Sequence, residues 1–326
     1  MMLKVETDSA VPPAWFTKAL DAPVTEGQAV VDGVPIAYRA WGAPGRRGIV
    51  LVHGGAAHSR WWDHIGPLLA IDRRVVAIDL SGHGDSGRRE SYGFDAWAGE
   101  ILAVAADAGI DAPIVIGHSL GGVVTLRTAA LFGSRIEGAV VIDSPVRNPA
   151  PEQQAAQDRR VFRELRVYPS REAAIARFRP VPDQPVLGYI ADHVAAASVR
   201  QADGGWTWKW DPRVFVLEPP RAPLTRLDCR VALFRAEHGI MSAEMSEIMY
   251  DRLGRVAPLI EIPAAGHHIM LDQPIALEPR SARCSPTGTT RCPPSPATPL
   301  PDRARASAPR TRRPRTTPRF IPNDSG

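Results

Sequence analysis

Ile114-Val115-Ile116-Gly117-His118-Ser119-Leu120-Gly121 is the stretch on which the reading of this chain turns. Three β-branched residues favour a strand, two glycines allow a tight bend, and residues 120–132 continue with helical periodicity. In a strand–sharp turn–helix the serine hydroxyl projects above the sheet. A serine that merely caps a helix would give a similar pentapeptide, so the motif alone is weak. Its placement directly after a strand is what gives it weight.

Outward from this turn, short β-branched runs alternate with helical patterns, as in a mainly parallel sheet. Residues 28–31 and 34–41 flank Asp32-Gly33 and predict an opening hairpin. Further strands are predicted at 48–53, 74–79, 113–117, 136–143, 230–236 and 259–262, with helices at 96–108, 120–132 and 243–253. Several of these apolar runs end at once in Gly, Ser or His, which fits buried parallel strands whose C-terminal ends carry a site. His53-Gly54-Gly55 closes one strand, where glycine lets a backbone N–H face a ligand. Asp79-Leu80-Ser81-Gly82-His83-Gly84-Asp85-Ser86 closes the next. Ala265-Gly266-His267-His268 follows the last, with Pro274 seven residues beyond His267.

In this order the features resemble the α/β-hydrolase superfamily, in its capped serine esterase branch, over about residues 24–277. The resemblance implies an α/β fold: an eight-stranded, mostly parallel sheet flanked by helices, with a helical cap inserted after strand 6. It also implies Ser119 as nucleophile, His267 as general base and later acid, and the N–H groups of Leu120 and Gly55 as oxyanion donors. These residue types suit the chemistry. A serine hydroxyl is a poor nucleophile until an imidazole takes its proton, and losing one oxyanion donor typically costs ~3–4 kcal/mol of barrier. His268 competes with His267, but the spacing to Pro274 matches the superfamily from His267.

The third triad member departs from the pattern. Relatives usually carry an aspartate in the loop after the seventh strand, and Arg235-Ala236-Glu237-His238-Gly239 places Gly239 there. Asp143, at the end of the sixth strand, and Glu237, two residues early, are the two substitutes. Both keep the Ser…acid…His order. Asp143 is favoured, because a strand end positions a side chain more rigidly than a loop.

The resemblance divides the chain into an N-terminal extension (1–23), a core (24–146 and 222–277), a cap (147–221) and a tail (278–326). Helices are expected in the cap at 152–167, 170–178 and 184–197, followed by Trp206, Trp208 and Trp210. Those tryptophans either line a substrate pocket or form the cap's own core. Of Trp61 and Trp62, one is expected to pack on the core and the other to face substrate.

Composition closes off other classes. The chain has 326 residues, 44% hydrophobic and 23% charged, an ordinary globular balance. Residues 279–326 hold ten Arg, no Lys and two Asp, a local charge of +8, which leaves −4 for residues 1–278 of the total +4. A nucleic-acid-binding core is therefore not implied. The tail also carries eleven prolines and few large apolar side chains, so it predicts disorder. Its Arg/Pro/Ser/Thr bias resembles GC-rich DNA read out of frame from near Leu277. A helix normally closes the superfamily's sheet after the histidine loop, so loss of its sequence predicts a destabilised domain.

Three cysteines, odd and sparse, fit a reducing cytoplasm rather than a disulfide framework. No apolar run reaches the roughly 20 residues of a membrane span, and the first 25 residues lack the apolar block of a signal peptide. No His/Cys/Asp grouping has metal-ligand spacing and no P-loop occurs, so neither metal nor cofactor is expected. The partner expected is a small ester, and oligomeric state is not legible. Cleavage of a carbon–carbon bond in a β-diketone uses the same three residues, and some superfamily members are non-catalytic receptors. Both stand as alternatives.

Overall fold

A computed structural model describes residues 11–45, 47–144, 165–217 and 227–277, all within one compact unit. The expected tail, with its reading-frame explanation, lies outside the described residues. So does the helix expected at 152–167, except for its last three residues, which are not helical.

Strands β1 (Thr25–Val31) and β2 (Val34–Trp41) form the opening hairpin. Asp32 and Gly33 both take positive φ, 51° and 77°, as a two-residue turn matched to strand twist requires. β3 (Arg47–Val52), β4 (Arg74–Ile78), β5 (Ala112–His118) and β6 (Gly138–Ile142) follow. Strands β7 (Val199–Ala202) and β8 (Gly205–Trp208) form a separate hairpin, and β9 (Arg230–His238) and β10 (Leu259–Gly266) complete the main sheet. Its order is β1-β2-β4-β3-β5-β6-β9-β10; β1 and β4 are antiparallel to β2, and all pairs from β4 to β10 are parallel. This is the eight-stranded, mostly parallel sheet that the resemblance implies.

The central strands read as continuous apolar runs because both faces are covered. On β3, Ile49 and Leu51 enter one core with Phe16, Trp62, Ile190 and Met270, while Val50 and Val52 enter the other with Trp97, Ile101 and Val124. Helices α3 (Phe94–Asp107) and α4 (Leu120–Phe132) supply the second layer, and α7 (Ala243–Arg252) packs Met249 beside Leu126 and Leu233. Two short helices escape sequence periodicity: α1 (Ala14–Leu20), which buries Phe16 and Ala19, and α2 (Gly66–Leu69).

Strand β3 has β4 on one side and β5 on the other, so chain order reverses there. The crevice at such a switch point is where open α/β sheets bind ligands. The loops bearing Gly54-Gly55 and Ser119 both emerge at its rim. Above it, the described part of the insertion between β6 and β9 contains α5 (Arg171–Ile175), α6 (Gly188–Ala197) and the β7–β8 hairpin. The hairpin has no counterpart in the expected helical cap. The insertion is fixed to the core by Leu187 N–H to Leu271 O (2.9 Å), Gly84 N–H to Lys209 O (2.7 Å) and Asp211 N–H to Gly82 O (2.8 Å). His58 Nε2 adds a 2.8 Å bond to Ser198 Oγ, whose own proton goes to Val194 O (2.7 Å). The last α-helix of the described residues, α8, is Ile269–Asp272, and a 3-10 turn follows at Pro274–Leu277.

Candidate active site

Ser119 sits between β5 and α4 with φ 54° and ψ −121°. Such a conformation costs a non-glycine residue about 1–3 kcal/mol and persists only where its surroundings enforce it. Here Ser119 N–H donates to Ile142 O on β6 at 3.0 Å, and the Ser119 carbonyl accepts from Gly122 and Val123. Gly117 and Gly121 leave no alternative residue: a Cβ on the first would strike the Gly121 carbonyl and Thr125, and on the second the backbone of Val52 and His53. The bend is thus closed around hydrogen.

The structure brings Ser119, His267 and Asp143 together. His267 Nε2 accepts the Ser119 hydroxyl at 3.0 Å, and His267 Nδ1–H donates to Asp143 Oδ2 at 2.7 Å. His267 and Asp143 are both buried. Asp143 leaves β6 with φ 43°, and its carboxylate collects three more donors: Ile240 N–H (2.8 Å), Ala236 N–H (3.2 Å) and Met241 N–H (3.4 Å). Such charge-assisted bonds hold an anion in fixed orientation. Glu237 is elsewhere, accepting Ala264 N–H at 2.8 Å from an exposed position.

Leu120 opens α4, so its N–H lacks a carbonyl one turn earlier. Gly55 N–H has no acceptor among the described residues. The loop bearing Gly55 is pinned from below by His53, whose Nδ1–H donates to Gly54 O (2.7 Å) and whose Nε2 accepts Leu80 N–H (3.1 Å). Burial pushes the His53 pKa down to about 4, so this ring is a neutral structural link. From above, the ring of Phe215 covers Gly55: a Cβ there would come within 2.8 Å of Phe215 Cε1 and 3.7 Å of Leu120 Cδ2.

The tryptophans separate. Trp62 is fully buried, and with Leu51, Ile65, Leu69, Ile116 and Leu277 it lines an apolar cavity. Trp61 lies 5.4 Å from the His268 ring and begins a row that continues through Phe178 (6.0 Å), Trp208 (6.4 Å further) and Tyr168 (6.2 Å further). Trp206 joins the hairpin to Tyr168 through paired backbone bonds of 2.8 Å.

Further residues complete the site, Gln184 among them with no signal in the sequence. Gln184, in the insertion, accepts His268 N–H at 2.7 Å and donates to Asp272 Oδ2 at 3.0 Å. Asp272 Oδ2 in turn accepts Gly266 N–H at 2.6 Å. A Cβ on Gly266 would lie 2.8 Å from the Gln184 amide. The histidine loop is therefore clasped on both sides of His267. His118 donates Nε2–H to His267 O at 2.9 Å, and desolvation, with the neighbouring His267 and His268, drives its pKa well below the usual imidazole value. His268 donates Nε2–H to Val181 O at 3.1 Å; burial, then the proximity of His267, pushes its pKa down to about 3.

Known proteins agree with this architecture. A serine hydrolase-like protein of Danio rerio is 26% identical over 268 residues, covering 73% of this chain and 81% of the relative. The esterase Rv0045c of Mycobacterium tuberculosis is also 26% identical, covering 79% of this chain and 88% of the relative. Among solved structures, E-2-(acetamidomethylene)succinate hydrolase superposes with a TM-score of 0.68 at 20% identity, over 80% of this chain and 98% of that one, a likeness of fold. No described helix is long and apolar enough to cross a membrane. The model of the alpha/beta hydrolase family matches residues 49–280, from β3 past the histidine loop, and the chain belongs to that family of enzymes.

Proposed function

We propose that the chain is a serine hydrolase of small to medium carboxylic esters or lactones, working through an acyl-enzyme. The observation that carries this reading is the continuous relay from Ser119 Oγ to His267 Nε2 (3.0 Å) and from His267 Nδ1 to Asp143 Oδ2 (2.7 Å). Ser119 Oγ attacks the substrate carbonyl as His267 Nε2 takes its proton. Asp143 keeps the imidazole in the required tautomer and stabilises the imidazolium. The carbonyl oxygen, now anionic, lies against the N–H groups of Leu120 and Gly55, where each donor is worth ~3–4 kcal/mol. His267 returns the proton to the leaving alcohol, or to the ring-opened hydroxyl of a lactone. It then deprotonates water for the second attack, which releases the acid and restores Ser119.

The row Trp61–Phe178–Trp208 and the ring of Phe215 favour an apolar or aromatic substituent over a charged one. The names of the relatives, esterase and serine hydrolase-like protein, support the same class. The test is labelling by a fluorophosphonate probe, followed by a panel of p-nitrophenyl esters, lactones and β-diketones. Labelling confined to Ser119 and lost in Ser119→Ala, with ester or lactone turnover, is the expected result. A folded protein that neither labels nor turns over any of them overturns the reading.

A further inference from the structure

We propose that His118, His267 and His268 together bind a borderline transition cation such as Zn2+, and that its binding switches hydrolysis off. One nitrogen from each ring belongs to a set whose members all lie within 4.8 Å of one another, and all three residues are buried. The outer bonds of the rings fix where the protons sit, because a carbonyl or carboxylate oxygen can only accept. His118 donates from Nε2 to His267 O, His267 from Nδ1 to Asp143, and His268 from Nε2 to Val181 O. Each imidazole therefore keeps one lone pair, on His118 Nδ1, His267 Nε2 and His268 Nδ1.

An imidazole whose outer N–H is anchored on a carboxylate or a backbone carbonyl is the arrangement found around protein-bound metals. Here it occurs three times in one cluster. The triad accounts for the lone pair of His267, but nothing accounts for that of His268: its Nδ1 is buried and has no hydrogen-bond partner. The geometry is within reach. Three atoms that lie within 4.8 Å of one another have between them a point no more than about 2.8 Å from each, so each ring must close by at most about 0.7 Å to reach a Zn–N bond of about 2.0–2.1 Å. Three neutral nitrogen donors select Zn2+, Cu2+ or Ni2+ over Mg2+ and Ca2+, which take oxygen ligands. The Asp143 carboxylate behind His267 offsets part of the ion's charge.

The inhibitory consequence rests on the functional reading above: an ion on His267 Nε2 occupies the lone pair that would take the Ser119 proton. The binding itself does not depend on that reading, and the experiment separates the two. The full chain is dialysed against ZnCl2 to measure bound metal, and p-nitrophenyl butyrate hydrolysis is followed across the same concentrations, then after EDTA. One Zn2+ per chain, with activity lost in step and restored by EDTA but untouched by MgCl2, is expected. His268→Phe keeps a ring against Trp61 and His118→Gln keeps a polar group at the elbow; each should weaken binding by about 10- to 100-fold or more. Zinc bound with equal affinity by the wild type and both variants, or not bound at all, overturns the site. Histidine-dependent binding in a chain that hydrolyses nothing leaves the site standing and overturns the catalytic reading instead.

Discussion

Gly239 and the carboxylate of Asp143 compete for one volume: a Cβ built on Gly239 would overlap the Asp143 carboxylate. The loop position that usually carries the acid in relatives therefore holds glycine where the Asp143 carboxylate, arriving from β6 as the acid of the proposed triad, fills the space. Gly239→Ala should push the carboxylate off His267 Nδ1 and lower kcat much more than it lowers the thermal midpoint. The informative variant is the double change Asp143→Ala with Gly239→Asp, which moves the carboxylate from strand to loop. Its kcat should exceed that of Asp143→Ala alone by about tenfold or more, a fraction of the ~10⁴ that an orienting acid supplies. No recovery in a folded double variant would show that the two positions are not interchangeable.

Asp143 and Glu237 can be told apart directly. Asp143→Asn keeps the shape but leaves His267 Nδ1 facing an amide, so kcat should fall by about 10⁴. Glu237→Gln keeps an oxygen that can accept Ala264 N–H and loses only an exposed charge, so its kcat should stay within about twofold, as surface changes usually do. Steady-state kinetics on one activated ester decides the matter, and comparable losses in both variants would remove Asp143 from the proposed triad.

The sheet, the bend at Ser119 and the loop of His267 are legible in the sequence because local chemistry dictates them. Val-Val-Ala-Ile and Gly-Ala-Val-Val-Ile are short β-branched-rich runs of the kind buried strands use, and a serine between close-packed glycines after such a strand has few other structures available. Strand ends drift by a few residues, β10 extending to Gly266 and β9 to His238 beyond their apolar runs, because ladder bonds do not need apolar side chains. What is not legible depends on where the insertion comes to rest. Gln184 and Phe215 matter only through contacts with Gly266, His268 and Gly55 that are distant in sequence, and neither lies in a recognisable pattern. The β7–β8 hairpin is hidden for a related reason: its tryptophans invite a reading as pocket or core before one as cross-strand neighbours. The three histidines likewise have no metal-ligand spacing, since two lie about 150 residues from the third.

Trp61 and Trp62 are both buried in one core, but of the two Trp61 packs against His268 and Phe178, so they should respond to different assays. Trp62→Phe removes part of a ring from the apolar core and should lower stability by about 1–3 kcal/mol, with KM unchanged. Trp61→Ala opens the row that leads from His268 to Phe178 and should raise KM for aryl esters more than for acetyl esters. Chemical unfolding together with kinetics on both substrates provides the check; a KM shift in Trp62→Phe would put that ring back in the pocket.

Gln184 would act as a positioning residue on His267, the proposed base, through the backbone of its loop. Gln184→Ala leaves His268 N–H without its acceptor and Asp272 Oδ2 with Gly266 N–H but not the Gln184 amide, and a slightly displaced imidazole is costly when the productive geometry tolerates only about 0.5 Å. The expected signature is a kcat reduced about tenfold with KM little changed, and a reduced rate of Ser119 labelling by fluorophosphonate. A variant that loses stability but labels at the wild-type rate would reduce Gln184 to a structural tie.

Asp272 supplies a pH dependence of known sign. Burial, its largest influence, raises the carboxyl pKa from 3.8 to about 6, against the bonds from Gly266 and Gln273 N–H and the nearby His238, which pull it down. Its Oδ1 is buried without a partner, which fits a carboxyl that is poorly compensated when charged. A carboxyl raised in the folded state binds more protons folded than unfolded between about pH 4 and 6, so its contribution to stability falls as pH rises through that window. Asp79 and Glu100, also raised by burial, act with the same sign, and the buried histidines His53, His64 and His268 with the opposite one. All of them remain in Asp272→Asn, so the difference between wild type and variant isolates Asp272. Urea midpoints measured at pH 4, 5, 6 and 7 should show the variant gaining on the wild type as pH rises, with the gain levelling off above about pH 6. A constant offset across the series would mean that Asp272 binds protons alike in the folded and unfolded chain.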